Sequence, residues 1–562
     1  MPRLAPVNIT VLPSTPIYAS FSPYCVLSLS RLLGPSPKEH PGLDPPQGPP
    51  DGGGIHPHLH RIYDMTFLRI CTTTSAFALV AGPAFAELTA QDVWTDWKDL
   101  LDSYGADIST GSEDQSGDTL TVTGLSTTFA VQGGSMALDL GDISFAEQGD
   151  GSVVVTLADT LPMIMDITGP DGKQGKVGFT ISQPGNRMVV SGDPGKMRYD
   201  FEYPSILMSD FTIEGDDMPE DMPMVFDMAM TDMTGFATVT DGDVRSYESD
   251  ATIGLFTLNM DIDDPDEGSG TIRMSMSDLT QSVRGTLAEI AMDMSAAELI
   301  EAGMTQVGTG AYGPSTMQFA FDGPDGALEM AAAAEGGTLD MSFDENGINY
   351  GGVTNGITMT VGGSAIPFPP MSFAMDKSEG RVVMPMVPNP DEEQDFGLRM
   401  TLEGLKIDDM LWGMFDPAGQ LPRDPATIIV DLGGSAVVTE DFTNPEYAEN
   451  MNAAPPGTLE TLDVNALQLT FAGAELTGDG DFAFNNEMGM PLPSGTANLM
   501  LTGGNGLLDT LVTMGLVPED QAMGARMMLG LFARPGDGPD TLVSTIEVNE
   551  DGSILANGQR IK

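Results

Sequence analysis

The sequence predicts a mainly β fold of the α+β kind, a long curved antiparallel sheet or meander with a few short flanking helices. Three observations predict it: apolar and polar residues alternate along many segments, tight-turn dipeptides separate these segments, and helical periodicity is confined to four regions. Alternation with a period of two is typical of strands with one buried and one solvated face, and tight turns between such strands favour antiparallel pairing.

The clearest strand contains Met197, Tyr199, Phe201 and Tyr203, which alternate with charged residues. Further alternating segments, named by their apolar residues, are Met136/Leu138/Leu140, Val177/Phe179/Ile181, Phe256/Leu258/Met260/Ile262, Ile272/Met274/Met276, Met317/Phe319/Phe321, Leu339/Met341/Phe343, Ile357/Met359/Val361, Phe396/Leu398/Met400/Leu402 and Leu467/Leu469/Phe471. Hairpin dipeptides are Asp150-Gly151, Asp171-Gly172, Asp325-Gly326, Asn346-Gly347, Asn355-Gly356, Asp551-Gly552 and Asn557-Gly558.

The first predicted helix follows Thr89, a suitable N-cap residue, and its tryptophans Trp94 and Trp97 share one face. We expect that face to pack on the sheet. A membrane-interface anchor is the alternative, which the acidic residues of the helix disfavour beside anionic lipid. The remaining helical regions are a short helix after the capping box Ser295 to Glu298, a helix from Asp408 to Phe415, and two helices within Leu507 to Phe532, with Pro518 at the start of the second.

The first 86 residues differ in composition from the rest. Residues 1–64 are rich in proline and glycine and contain all four histidines, and we expect a non-native or disordered leader there. Residues 65–86 have the pattern of a secretory signal peptide: Arg69, an apolar stretch, and a small-residue cleavage site formed by Ala84 and Ala86 before Glu87. The sequence therefore predicts a periplasmic product that begins at Glu87 and has no transmembrane segment after the signal peptide.

Charge and composition exclude several functions. The net charge of -59 argues against nucleic acid as a partner, because phosphate binding requires a basic surface. Both cysteines and all four histidines precede Glu87, so the predicted mature chain lacks disulfides, thiol and imidazole catalysis, and typical zinc sites. Carboxylate chemistry remains open, including a glycan hydrolase with an acid/base pair, but the sequence selects no catalytic residue, metal site or cofactor.

The region 87–562 is predicted to be one β-rich unit, with two diverged halves at about 87–303 and 304–562 as a further hypothesis. The proline-rich acidic stretches Met384 to Asp395 and Asn444 to Gly457 are candidate linkers or long loops. A single curved sheet could also continue across both stretches.

Methionine is unusually frequent, and all but two of the 39 methionines follow residue 86. The strongest alternation is Met222, Met224, Phe226, Met228 and Met230, which we identify as a candidate apolar-ligand face. Three interpretations remain open: ordinary sheet core, an adaptable groove for acyl chains, or copper(I) bound by thioethers.

Several segments resemble a known family. They are Trp94-Thr95-Asp96-Trp97-Lys98-Asp99-Leu100-Leu101, Leu411-Trp412-Gly413-Met414-Phe415-Asp416-Pro417 with Leu421 to Thr427, Leu476 to Asp481, and Met527 to Pro535. Together they resemble exported alphaproteobacterial proteins of domain-of-unknown-function family 2125 over nearly all of 87–562. The family is distantly similar to AsmA-like envelope proteins. That likeness implies a long curved sheet associated with lipid handling, and it implies no catalytic residues.

The sequence therefore predicts a non-enzymatic, exported periplasmic protein that binds a lipid or another apolar ligand, or that scaffolds the cell envelope with a protein partner. A carboxylate-dependent glycan hydrolase and a methionine-rich copper(I)-binding protein are the alternatives.

Overall fold

The computed structural model describes residues 87–131, 134–168, 174–215, 224–242, 244–264, 268–287, 294–444, 447, 455–486 and 491–562. Strands make up 65% of the described residues and helices 12%, which confirms the mainly β class. The predicted leader and signal peptide lie outside the described residues, and so do Ala84 and Ala86 of the cleavage site. None of the described helices is long and apolar enough to cross a bilayer.

Five helices lie within the described part of the chain: α1 Ala90–Ser103, α2 Ala296–Glu301, α3 Asp409–Phe415, α4 Gly504–Thr513 and α5 Glu519–Phe532. The strands of the first half are β1 Ala106–Ser109, β2 Ser112–Ser116, β3 Thr119–Val131, β4 Gly134–Glu147, β5 Val153–Thr156, β6 Thr160–Thr168, β7 Gln174–Ser182, β8 Arg187–Asp193, β9 Lys196–Gly215, β10 Met224–Thr240, β11 Arg245–Asp264 and β12 Gly268–Leu287.

The later strands are β13 Thr305–Tyr312, β14 Ser315–Gly323, β15 Gly326–Ala334, β16 Gly336–Asp344, β17 Gly347–Gly362, β18 Met371–Met384, β19 Gln394–Ile407, β20 Ala426–Val438, β21 Gly457–Phe471, β22 Ala474–Asn485, β23 Leu492–Thr502, β24 Arg534–Pro535, β25 Thr541–Val548, β26 Ile554–Ala556 and β27 Gln559–Arg560. All of the strands belong to one sheet, and every pairing between them is antiparallel. This confirms the predicted antiparallel sheet.

The sheet divides twice in the same way. Strands β5 and β6 pair with opposite ends of β4. Strand β5 then pairs with β8 and β6 with β7, and both β7 and β8 pair with β9. The same arrangement recurs at β12, which pairs with β13 at one end and β14 at the other. Strand β13 then pairs with β16 and β14 with β15, and both β15 and β16 pair with β17. From β17 to β23 each strand pairs with the next one in the chain. The sheet therefore continues across residue 303 and across both candidate linkers.

One predicted hairpin is wrong. Asn355-Gly356 lies inside β17, which pairs with β18 on both sides of this dipeptide. Gly356 has a φ of 59°. The dipeptide therefore correctly indicates a positive φ, but this conformation belongs to an irregularity within the strand and not to a turn. The other hairpin dipeptides connect paired strands as predicted, except Asp171-Gly172, which lies outside the described residues.

The predicted helix signals are confirmed. Thr89 caps α1 and Ser295 caps α2, each through a capping box, and the side chain of Asp408 accepts a hydrogen bond from the first turn of α3. Helices α4 and α5 are two separate helices, and Pro518 directly precedes the second.

Helix α1 packs on the largest buried cluster of the sheet, as predicted. Trp94 is fully buried, and Trp97 packs beside it; their rings lie 5.8 and 5.5 Å from the ring of Phe145. Asp96 extends from the same helix and accepts hydrogen bonds from the Tyr199 hydroxyl on β9 and the Arg245 guanidinium on β11. These contacts make α1 part of the core.

Burial raises the pKa of Asp96, and the hydrogen bond from Tyr199 and the charge of Arg245 oppose that shift. The carboxyl is therefore enclosed by its partners beneath the helix. The Asp96 carboxylate therefore attaches α1 to the sheet and is not placed to contact a substrate.

A second buried cluster lies in the second half of the chain and contains Trp412, Leu421 and Ala472. We call this cluster and the helices α3 and α4 that pack on it the corner. Trp412 of α3 packs with Leu421 and Ala472 and with Leu511 of α4, and its ring stacks on Phe471 at 6.0 Å. The buried carboxylate of Asp416 accepts hydrogen bonds from the backbone of Gln420 and Leu421, which fixes the turn after α3. The tryptophan motif shared with the resembled family is thus explained by packing.

Helix α2 links two distant strand connections. The Ser295 hydroxyl donates to Asp441 at 2.6 Å, and the Ala297 amide donates to the Thr443 hydroxyl at 3.3 Å. These partners follow β12 and β20, which are six strand positions apart in the sheet. The start of α2 and the segment after β20 therefore contact each other although their strands lie far apart in the sheet.

Candidate apolar ligand site

The candidate face predicted from the methionines lies on β10. Met228 and Met230 are buried, at 7% and 1% exposure, whereas Met224 and Phe226 are half-buried. Met222 lies outside the described residues. The predicted face is therefore divided between a packed part and a part that solvent can reach.

The packed part is a cluster of Met208, Met228, Met230 and Phe256 on β9, β10 and β11. Met228 lies directly opposite Met208 across the pair of β9 and β10. Partly buried side chains surround these four: Phe179, Ile206, Phe226, Ile253, Leu258, Met274, Met276 and Leu279. We call this set the methionine cluster. Unbranched thioether side chains fill the irregular space between four neighbouring strands.

Phe226 begins a row of apolar side chains that crosses seven neighbouring strands. Directly opposed residues share one face of a sheet, and each member of the row lies opposite the next. The members of this middle row are Phe226, Met260, Ile272, Phe319, Met330, Val361 and Met371, and all of them are half-buried. The row extends the predicted face far beyond β10.

Parallel rows flank the middle row on the same face. The outer row is Met224, Ile262, Gly270, Phe321 and Leu328, and the inner row is Met228, Leu258, Met274, Met317, Ala332, Met359 and Phe373. We call the three rows together the apolar face. Its inner row becomes accessible along the sheet, from 7% exposure at Met228 on β10 to 40% at Met317 on β14.

The opposite side of the same strands is polar. The residues next in sequence to the members of the middle row point to this side and also lie opposite one another: Asp227, Asn259, Arg273, Gln318, Ala331, Thr360 and Ser372. Arg273 also forms an ion pair of 2.5 Å with Asp261 on this side. The sheet is therefore amphipathic here, with one apolar and one wettable surface.

A hollow of about 260 Å³ lies on the apolar face. It is lined by apolar side chains of β11, β12 and β14 and by the edge of the hairpin between β11 and β12: Met260, Ile262, Ile272, Phe319 and Phe321, with Asp264, Gly268, Gly270 and Thr271. Gly270 leaves room there because it carries no side chain, whereas Gly268 permits the close approach of the Asp322 carbonyl. Phe321 is 37% exposed, so the hollow is open to solvent at this edge.

The alternation changes phase at Asp232. Before it the buried residues of β10 are even-numbered, as in Met228 and Met230; after it they are odd-numbered, as in Met233. Asp232 has a φ of 55°, a left-handed conformation that aspartate tolerates better than most residues. Ile206 and Ile253 contact buried residues on both sides of this point, so the apolar surface continues through it.

Apolar side chains also remain exposed on the later strands. Val382 of β18 opposes Leu398 of β19, and Met400 of β19 follows on the same side. These three and Leu469 of β21 are between 39% and 47% exposed. Exposed apolar side chains are therefore also present in the second half of the sheet.

Ionisable groups are sparse on the apolar face. Near its buried end, burial raises the pKa of Tyr203 to about 12, so this phenol stays neutral at physiological pH. The three rows themselves contain no ionisable residue. Asp264 lines the hollow at its outer edge, so an apolar ligand on the three rows would meet charge only there.

The rows could not be predicted from the sequence because they depend on strand register. The alternation predicts Met224 and Phe226 on one strand face and Met260, Ile272 and Phe319 as strand residues, but it does not predict that they are neighbours. The signal available in the sequence was the similar alternation of these strands. Their length and order would have allowed an approximate alignment.

The fold and the face together define a class of protein: a long antiparallel sheet with one extended apolar surface and a helix packed at its start. Residues 314–556 match the model of a family described as an uncharacterized protein conserved in bacteria (DUF2125). This supports the predicted family from β14 to β26, whereas the resemblance had been expected over nearly all of 87–562. No curated protein and no solved structure matches the chain.

Proposed function

We propose that this protein is an exported periplasmic protein that binds the acyl chain of a lipid along the apolar face, without catalysing a reaction. The observation that supports this most is the middle row, because its seven apolar side chains are all half-buried rather than covered. Apolar surface that stays in contact with water in a folded protein is typical of a ligand or partner site. Methionine and phenylalanine suit chains of variable shape.

The middle row is long enough to hold an extended acyl chain. Six steps between neighbouring strands at about 4.8 Å each give about 29 Å. One leaflet of a bilayer core is about 15 Å thick. A single acyl chain could therefore lie along the face with its headgroup beyond the rows, where the sheet meets water.

A charge introduced into the exposed part of the face should weaken lipid binding. We expect Met317→Asp to reduce the affinity for a zwitterionic lipid with one fluorescent acyl chain by at least about tenfold, because a carboxylate would have to lose water against the chain. Met317 is 40% exposed, so the fold should tolerate the change. A fluorescence titration of purified protein measures the affinity.

Gln318→Asp is the matched control, because Gln318 is the next residue of β14 and points to the polar side. Its affinity should equal that of the wild type. Equal loss in both variants, or no loss in Met317→Asp, would argue against binding on this face. Native mass spectrometry with lipid extraction of protein purified from the periplasm should show a co-purified acyl lipid.

Processing can be tested separately. We expect the stable protein from a native host to begin at Glu87, since Ala84 and Ala86 complete a signal-peptide cleavage site. Cleavage there would keep the packed core, whose first buried side chain is Leu88. N-terminal sequencing decides this, and a stable product that retains residues 1–64 would contradict it.

Two other outcomes of the mass measurement would favour different functions. Bound copper would favour thioether ligation in the methionine cluster, where Met208, Met228, Met230, Met274 and Met276 come together. A protein without ligand would favour a scaffolding role with an envelope protein. A glycan hydrolase would be indicated by activity on envelope glycans that one Asp or Glu substitution removes.

A further inference from the structure

Helix α5 carries a stripe of exposed apolar side chains. Its members are Met523, Met527, Met528 and Leu531, which are between 52% and 71% exposed. Met523, Met527 and Leu531 follow at intervals of four residues and therefore lie on one side of the helix. Ala522, which is buried, lies on the other side. The helix thus presents its most apolar side to solvent.

The stripe adjoins other exposed apolar residues of the corner. Leu516, between α4 and α5, is 50% exposed. Helix α4 packs through Leu511 and Met514 on Trp412, and the Trp412 ring stacks on Phe471, which is itself exposed at the end of β21. Exposed apolar side chains are therefore present on α5, at Leu516 and at Phe471 and Leu469 of the sheet.

The charge around the stripe indicates which kind of partner it can bind. Residues 521–536 contain no acidic residue, in a chain with a net charge of -59. Arg526, the cation of α5, is paired with Asp509 of α4. The four side chains of the stripe are therefore uncharged, and the acidic residues of α5, Glu519 and Asp520, are confined to its first turn. An uncharged stripe on a strongly acidic protein suits an uncharged or zwitterionic partner and opposes an anionic one.

We propose that the α5 stripe docks on the surface of a zwitterionic phospholipid bilayer. An amphipathic helix binds such a surface by burying its apolar side at the boundary between headgroups and acyl chains. The unbranched methionine and leucine side chains of the stripe can enter that boundary without placing a charge in it. Docking would bring α5 and Leu516 next to the lipid.

Vesicle co-sedimentation tests the docking. Wild-type protein should bind phosphatidylcholine vesicles and bind phosphatidylglycerol vesicles less. Met527→Asp should reduce binding to phosphatidylcholine vesicles by at least about tenfold, because a carboxylate would enter the apolar boundary. Met500→Asp is the matched control: Met500 is also exposed, on the side of β23 away from Leu499 and Leu501, and its vesicle binding should equal that of the wild type.

Two readouts keep this inference distinct from the proposed function. Met527→Asp should retain the affinity for the fluorescent lipid, and Met317→Asp should retain vesicle binding. Unchanged vesicle binding by Met527→Asp, or no binding by the wild type, would overturn the docking. A dimer in size-exclusion chromatography that Met527→Asp abolishes would assign the stripe to a second copy of the chain and would equally overturn it.

Discussion

Met230→Asp should reduce the free energy of unfolding by at least about 4 kcal/mol, the largest effect that we expect from a single substitution. Met230 is 1% exposed inside the methionine cluster, among Met208, Met228 and Phe256. A carboxylate there would lose its water and find no cation among these side chains. Urea unfolding monitored by circular dichroism measures the change, and loss of the folded protein on expression would be an extreme form of it.

Val225→Asp is the control for this substitution. Val225 lies on the same strand, is 53% exposed and points to the polar side, so its stability should stay close to that of the wild type. Met230→Leu, which keeps an apolar side chain of similar size, should cost less than about 1.5 kcal/mol. A Met230→Asp protein as stable as Val225→Asp would show that the cluster is open, and the division of the predicted face would then be incorrect.

Trp94→Ala should cost about 3–5 kcal/mol, because it removes the largest fully buried side chain of the main cluster. The cavity would lie between α1 and Phe145, where the sheet cannot close without moving the helix. Trp97→Ala should cost less, since Trp97 is only partly buried against the same ring. Urea unfolding of both variants at one temperature gives the comparison, and a larger loss for Trp97→Ala would contradict the assigned core.

The fold class could be predicted because its signals are local. Strand β9 alternates visibly from Met197 to Tyr203, and a period of two needs no information from other strands. The caps at Thr89, Ser295 and Asp408 could be recognised because each side chain bonds within one turn of its own helix. The hairpin predicted at Asn355-Gly356 is wrong for the same reason: the dipeptide indicates a positive φ, but only the pairing with β18 decides whether the chain turns.

The candidate site was harder to predict because it depends on register. Met224, Phe226, Met228 and Met230 form one uniform pattern in the sequence, yet their burial differs because different residues oppose them. The phase change at Asp232 is invisible to a simple alternation count, which assumes that the period never shifts. The apolar rows exist only once Ile272 is aligned with Phe319 and Met330 with Val361.

The attachment of α1 sets an order on folding. Asp96 is bonded to Tyr199 and Arg245, which follow it by 103 and 149 residues, whereas most strands pair with a neighbour in the chain. Strand pairs can form as each segment emerges, and Phe145 of β4 can already cover Trp94 and Trp97, but Asp96 gains its partners only when β9 and β11 are present. Until then α1, a short helix that is marginal by itself, is held only by its packing on β4 and the neighbouring strands. The hydrogen bonds of Asp96 are thus among the last contacts that secure this helix, because 149 residues separate Asp96 from Arg245.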